Sequence, residues 1–299
     1  MSRLILLFLL IPLVFLLGDD PDEPPPRHKA EWLEADGIRL RALRTGQGDT
    51  TLVFLHGYGE HLLTWRGVID PLARDYRILA VDLPGFGGSD KPDRPYTVDA
   101  MVATVRDLLA RWTKPPVILI GHSMGGAISA ATAAAEPGKV VALVLVAPAG
   151  IDVALGGIMD TMSQRRSALI GMWEAARASV TPMHDPAWLE EPPDKGRYDP
   201  ALDPAFRAST ARALRDFQFE GLGEIYRKLR QPILLLWGNA DPVVPAEVAD
   251  SLIKYLPCHQ LAILGRTLHR PQVERPDTVV AILERFLRKP ACKPVSTFQ

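Results

Sequence analysis

The sequence carries almost no charge bias. Its 299 residues contain 34 Lys and Arg against 35 Asp and Glu, a formal net charge of −1. A chain without a basic excess has no electrostatic footprint for a phosphate backbone, so nucleic acid is excluded as a partner. Internal repeats and heptads are absent, which removes solenoids and coiled coils. Cysteine is scarce: Cys258 and Cys292 allow one disulfide at most. Long apolar runs are also missing, with one exception at the start, MSRLILLFLLIPLVFLLGDD. There Arg3 precedes an apolar run from Leu4 to Leu17. As a helix this run spans about 21 Å, short of the roughly 30 Å hydrocarbon core but suited to the apolar region of a signal sequence. A small residue is lacking at Leu16, two places before Gly18, so a cleavage site is poor, and no Cys follows to take a lipid. Residues 1–18 are therefore expected to act as an uncleaved signal anchor, with a cleaved signal peptide as the alternative. Residues 19–30 begin DDPDEPPP and read as an acidic, proline-rich linker. Arg3 before the run favours the N-terminus inside. The chain is expected to be membrane-anchored with its domain outside the cytoplasm, or exported.

What is present from residue 31 onward is a rhythm. EWLEADGIRLRALRTG alternates apolar and polar residues as a hairpin does. TTLVFLHG, YRILAVD, PVILIGHS, VVALVLVAP, PILLLWGN and HQLAILG are short, wholly apolar runs, the mark of strands buried on both faces. Helical spacing separates them, as in TVDAMVATVRDLLARW, where Thr97 is placed as an N-cap. Strands alternating with helices predict a mostly parallel, doubly wound α/β sheet. Residues 150–228 break the rhythm: they hold Ala-, Met- and Arg-rich helical stretches and no convincing strand. They are expected to form an all-helical cap inserted into a core made of 31–149 and 229–290, followed by a tail at 291–299. In this layout Cys258 precedes the last strand and Cys292 follows the last helix, at one sheet edge, so a disulfide between them is geometrically allowed in an oxidising compartment.

The run ILIGHSMGG ends a strand and opens a helix around Ser123. Gly121 and Gly125 permit a tight turn there, and the turn would lift the serine hydroxyl clear of the sheet as a nucleophile. It would also leave the Met124 N–H at a helix N-terminus, facing an oxyanion. A serine needs a base. His269, after the last strand in GRTLHRPQVERP, falls at the same sheet edge and is the expected base, whereas His122 is expected to pack. Asp241, in WGNADPVVP, ends the preceding strand and is expected to orient His269, with Asp152 as the competing position. A second oxyanion donor is expected from His56-Gly57-Tyr58-Gly59: the Tyr58 N–H, with Gly57 enabling the turn and His56 supporting the loop.

HGYGEHLLTW, DLPGFGGSDKP, GHSMGG, WGNADPVVP and HRPQVERP, in this order, resemble blocks of the α/β-hydrolase family over roughly 31–289. The resemblance implies the α/β-hydrolase fold with a helical lid, Ser123, Asp241 and His269 as the catalytic set, Tyr58 and Met124 as oxyanion donors, and no metal or organic cofactor. Within the family the chain looks most like the capped serine esterases and the carbon–carbon bond hydrolases. Relatives that open epoxides or cleave carbon–halogen bonds carry Asp at the elbow, where this chain has Ser123. Leu268 departs from the family pattern, which has Gly before the histidine in many members. The implied activity is hydrolysis of a carboxylic ester of a small hydrophobic molecule, since the insertion is rich in Met159, Met162, Met172, Trp173, Met183, Trp188, Phe206, Phe217 and Phe219. Alternatives are carbon–carbon cleavage of a vinylogous diketone, cofactor-free haloperoxidase or perhydrolase chemistry, and a non-catalytic ligand receptor. A base with an ordinary imidazole pKa implies loss of activity below about pH 6.5.

Overall fold

The computed structural model describes residues 27–150, 185–192, 203–217 and 221–290. The apolar segment 1–18, most of the linker, much of the 150–228 insertion, Cys292 and the tail 291–299 lie outside the described residues. Among the described residues no helix is long and apolar enough to cross a membrane.

Among the described residues, nine strands form one sheet in the order β7-β1-β2-β4-β3-β5-β6-β8-β9. They are β1 (His28–Ala35), β2 (Ile38–Gly46), β3 (Thr51–Leu55), β4 (Arg77–Val81), β5 (Val117–His122), β6 (Val140–Val146), β7 (Leu189–Glu190), β8 (Ile233–Gly238) and β9 (His259–Leu264). β1 and β2 form the expected antiparallel hairpin, and β2 also runs antiparallel to β4. From β4 through β9 every pairing is parallel. The helices are α1 (Arg66–Leu72), α2 (Val98–Trp112), α3 (Met124–Ala135), α4 (Pro204–Asp216), α5 (Leu222–Lys228), α6 (Glu247–Leu252), α7 (Pro271–Glu274) and α8 (Pro276–Arg288).

Two cores flank the sheet, and the apolar strands feed both by alternation. On β3, Val53 and Leu55 enter the core shared with α2, α3 and α5, while Leu52 and Phe54 enter the core shared with α1 and α8. β8 divides likewise, with Leu235 and Trp237 on one side and Leu234 and Leu236 on the other. A strand covered on both faces has no polar side to show, which is why these segments read as unbroken apolar runs. Caps close the helices as their chemistry dictates: the Thr97 hydroxyl accepts from the Ala100 N–H at 3.2 Å, and Asp203 caps α4 just before Pro204.

Two segments depart from expectation. Residues 28–30, assigned to the linker, open β1. They are held because the His28 N–H bonds the Trp188 carbonyl at 2.9 Å and the His28 Nε2 meets Asp70 Oδ1 at 2.7 Å. The insertion is not wholly helical either, since Leu189–Glu190 forms β7 and extends the sheet beside β1. Two residues are too few to show a period, so β7 left no pattern to read. A buried ion cluster fastens this segment: Arg41, 3% exposed, donates to Asp82 at 2.9 Å through Nη1 and to Glu191 at 2.8 Å through Nε. The described aromatics of the insertion, Trp188, Phe206, Phe217 and Tyr226, are buried in the two cores.

The chain builds outward from β3 to β4 on one side, then returns to β5 and proceeds through β6, β8 and β9 on the other. The reversal falls between β3 and β5. In open parallel sheets, ligands bind beyond the strand C-termini at this point.

Candidate active site

Ser123 stands directly beyond β5, at φ 51° and ψ −116°. A non-glycine residue in that region carries strain of about 1–3 kcal/mol and persists only where its surroundings hold it. Here the Ser123 N–H donates to the Val146 carbonyl at 2.9 Å, and the Ser123 carbonyl accepts from Gly126 and Ala149. The flanking glycines are required by close approach. A Cβ on Gly121 would lie 2.3 Å from the Gly125 carbonyl oxygen, and one on Gly125 would lie 2.3 Å from the Leu55 carbonyl oxygen. The β5–α3 turn thus sits against the end of β3 with no room for a methyl group.

His269 follows β9. Its Nδ1 lies 2.7 Å from Asp241 Oδ2, and the Asp241 side chain is fully buried. The other Asp241 oxygen accepts the Val243 and Val244 N–H groups at 2.8 and 2.9 Å. The carboxylate is therefore fixed before it meets the imidazole, and it holds the proton on Nδ1, leaving Nε2 free to accept. Asp152, the competing acid, lies outside the described residues. Burial lowers the His269 pKa; its hydrogen bond to Asp241 works against this and the charge of His122 reinforces it. The expectation of an ordinary imidazole is corrected accordingly: burial keeps His269 neutral to a lower pH. The Ser123 hydroxyl shares this sheet edge but makes no hydrogen bond among the described residues.

The loop after β3 supplies the Tyr58 N–H. Neither it nor the Met124 N–H is taken by an acceptor among the described residues. His56 is tied to this loop and to Leu83 through both ring nitrogens. Its Nε2 accepts the Leu83 N–H at 2.9 Å, so its Nδ1 carries the proton and donates to the Gly57 carbonyl at 2.7 Å. Burial lowers the His56 pKa and favours this neutral form. Gly57 has a different reason to be glycine than the turn expected of it: its Cβ would lie 2.8 Å from His122 Nδ1 and 3.0 Å from Glu60 Oε2, while Gly59 supplies the left-handed residue at φ 72°. The Tyr58 hydroxyl donates to the Thr210 carbonyl at 2.8 Å, tying this loop to α4. Burial pushes its pKa up to about 12, so it remains a donor.

Glu60 and His122 carry contacts that sequence reasoning missed. His122, expected to pack, is fully buried with its ring centroid 4.7 Å from that of His269, and it is also a polar bridge. Its Nδ1 meets Glu60 Oε2 at 2.9 Å and its Nε2 meets the His269 carbonyl at 2.8 Å. An acid two residues beyond the loop tyrosine, amid buried neighbours, was the available signal for Glu60.

A strained serine on a strand–helix elbow, at one edge of a parallel sheet with a histidine held by a buried aspartate, defines a hydrolase of the α/β class. The chain matches the family model for the alpha/beta hydrolase fold over residues 50–276, and it belongs to that family. It is 30% identical over 293 residues to the dihydrolipoyllysine-residue acetyltransferase component of the acetoin cleaving system of Pseudomonas putida, spanning 91% of this chain and 72% of that one. It is 28% identical over 268 residues to the 2-hydroxy-6-oxo-6-(2'-aminophenyl)hexa-2,4-dienoic acid hydrolase of Metapseudomonas resinovorans, spanning 87% and 91%. Among solved structures, a serine hydrolase involved in carbazole degradation superposes with a TM-score of 0.69 at 26% identity, covering 87% of this chain and 98% of that one.

Proposed function

We propose that the chain is a serine hydrolase that cleaves a carboxylic ester of a hydrophobic molecule through an acyl-enzyme. The observation that carries this reading is Ser123 held at a positive φ on the elbow while Asp241 fixes the tautomer of His269 at the same edge. Ser123 Oγ attacks the ester carbonyl and gives its proton to His269 Nε2. The oxyanion lies against the N–H groups of Tyr58 and Met124, each worth about 3 kcal/mol of barrier. His269 returns the proton to the departing alcohol, then activates the water that releases the acid. A hydrophobic substrate is favoured by Leu268, 52% exposed beside His269, and by Met159, Met162, Met172 and Trp173, which lie outside the described residues.

Hydrolysis of p-nitrophenyl esters from C2 to C16, with Ser123→Ala as control, tests this reading. Turnover that disappears in the variant supports it; no turnover on any ester by the folded protein overturns it. A second reading, carbon–carbon bond hydrolysis of a vinylogous diketone, is favoured by the name of the Metapseudomonas relative. Decay of the absorbance of such a dienoic acid, again lost in Ser123→Ala, would select it.

For location, we infer that residues 1–18 attach the chain to a membrane with the domain outside the cytoplasm, or direct its export. Support comes from Cys258, which is disulfide-bonded, since disulfides persist in oxidising compartments. Carbonate-resistant recovery of the full chain with membranes supports attachment, release into the medium or periplasm supports export, and a cytosolic product overturns both.

A further inference from the structure

Sequence separation conceals one arrangement at the site. Glu60 Oε2 accepts the Gly57 N–H at 2.8 Å and also meets His122 Nδ1 at 2.9 Å. His122 Nε2 then reaches the main-chain carbonyl of His269 at 2.8 Å. One buried chain of three hydrogen bonds therefore joins the loop after β3, the residue preceding Ser123 and the loop carrying His269. These are the segments that supply the oxyanion donor, the nucleophile and the base in the reading above, on which this inference rests.

The geometry also assigns the protons. A backbone carbonyl can only accept, so His122 Nε2 bears hydrogen. Glu60 Oε2 already accepts a backbone N–H, and the charge of Arg270 acts on Glu60 as well. That oxygen is therefore best suited to remain an anion, which puts the second hydrogen on His122 Nδ1. Burial opposes both charges; the mutual attraction of the pair outweighs it, holding Glu60 well below the usual carboxylate range and raising His122.

We propose that Glu60 and His122 form a buried carboxylate–imidazolium pair that positions the Tyr58 donor and the His269 base together, so that both are registered against Ser123. Both members are positioning residues. Glu60 touches Gly57, the neighbour of Tyr58, and His122 touches the backbone of His269, not its ring nitrogens. The groups acting on His269 are Asp241 and Glu60, which raise its affinity for a proton, and His122, whose charge lowers it.

Glu60→Gln is the informative substitution because one atom of Glu60 serves both contacts. An amide oxygen there can keep the Gly57 N–H but loses the charge that holds His122 doubly protonated; an amide nitrogen turned to a neutral His122 abandons the Gly57 N–H. A displaced loop costs on the order of 10²-fold in rate. Steady-state kinetics of the full chain, using the ester on which wild type turns over fastest, should show kcat reduced by about that factor with KM little changed. His122→Asn removes the cation whose charge lowers the proton affinity of His269, and the acid limb of kcat/KM should move to higher pH. Unchanged kcat in Glu60→Gln together with an unmoved limb in His122→Asn overturns the proposal.

Side-chain nitrogen NMR of the wild-type protein supplies a readout independent of activity. Two protonated ring nitrogens at pH 7.5, in a signal absent from His122→Asn, support the pair. A neutral His122 at that pH overturns it even if ester hydrolysis is confirmed. If the esters are not hydrolysed but the imidazolium is present, the ester reading fails and the pair stands. If either variant fails to fold, the wild-type spectrum decides, its His122 signal then assigned through bonds from the backbone.

Discussion

Asp241 gives one oxygen to His269 and the other to its own backbone: Oδ2 lies 2.7 Å from His269 Nδ1, and Oδ1 takes the Val243 and Val244 N–H groups. The aspartate is thereby immobilised independently of the histidine. Asp241→Asn would present an amide N–H to Nδ1 and favour the tautomer with hydrogen on Nε2, the wrong nitrogen for accepting a proton from Ser123. The expected result is a fall in kcat of about 10⁴-fold with stability little affected, measured by ester hydrolysis and thermal unfolding. A fall below tenfold would remove Asp241 from the proposed catalytic set.

The pH profile follows from burial of the base. The His269 pKa is lowered from 6.5 chiefly by desolvation, against the pull of Asp241. The proposed mechanism needs the neutral ring, so activity is expected to be retained as pH falls through 6.5 and lost only on passing the lowered value. A kcat/KM profile from pH 4 to 8 should place the acid limb below 6.5. A limb at or above 6.5 would contradict the environment described for His269.

Crowding at the elbow makes a second kind of prediction. In Gly125→Ala the new methyl meets two backbone carbonyls, Leu55 O at 2.3 Å and His56 O at 2.5 Å, neither of which can rotate away. The β5–α3 turn must part from the loop after β3. Such overpacking costs about 1–3 kcal/mol, and the same displacement separates the Met124 and Tyr58 N–H groups proposed to meet the oxyanion. Chemical denaturation should register the first effect and kcat the second. Wild-type values for both would mean that the turn has more space than described.

Arg41 governs the attachment of β7. Its guanidinium sits between Asp82, whose side chain is fully buried, and Glu191, whose side chain is 14% exposed. Arg41→Met would strand the Asp82 charge and is expected to cost about 3–5 kcal/mol in urea or guanidinium unfolding. Glu191→Gln leaves the Arg41–Asp82 pair intact and should cost much less. Equal losses from the two substitutions would rule out this ordering.

The membership of the sheet was readable because burial on both faces removes polar positions from a strand. VILIGH and ILLLWG have no other economical place than the centre of a parallel sheet. The hairpin at β1–β2, the Thr97 cap and the strand–helix turn at Ser123 were readable because each is set by residues within a few places of one another. The order of Ser123, Asp241 and His269 along the chain was also visible, because each follows a recognisable strand and all strand C-termini of a parallel sheet share an edge. β7 was not visible, since two residues cannot display a period, nor was the docking of Trp188 and Phe206 into the cores.

By itself, then, the sequence determined the local turns, the alternation that fills two cores, and the edge at which Ser123, Asp241 and His269 gather. Tertiary structure alone decided which groups meet there. Glu60 and His122 are 62 residues apart and His122 and His269 are 147 apart; Arg41 and Glu191 are separated by 150. No local propensity encodes such pairs. They exist because buried charges and backbone polar groups must be satisfied once the sheet has closed around them, and their partners are whatever the fold has brought within about 3 Å.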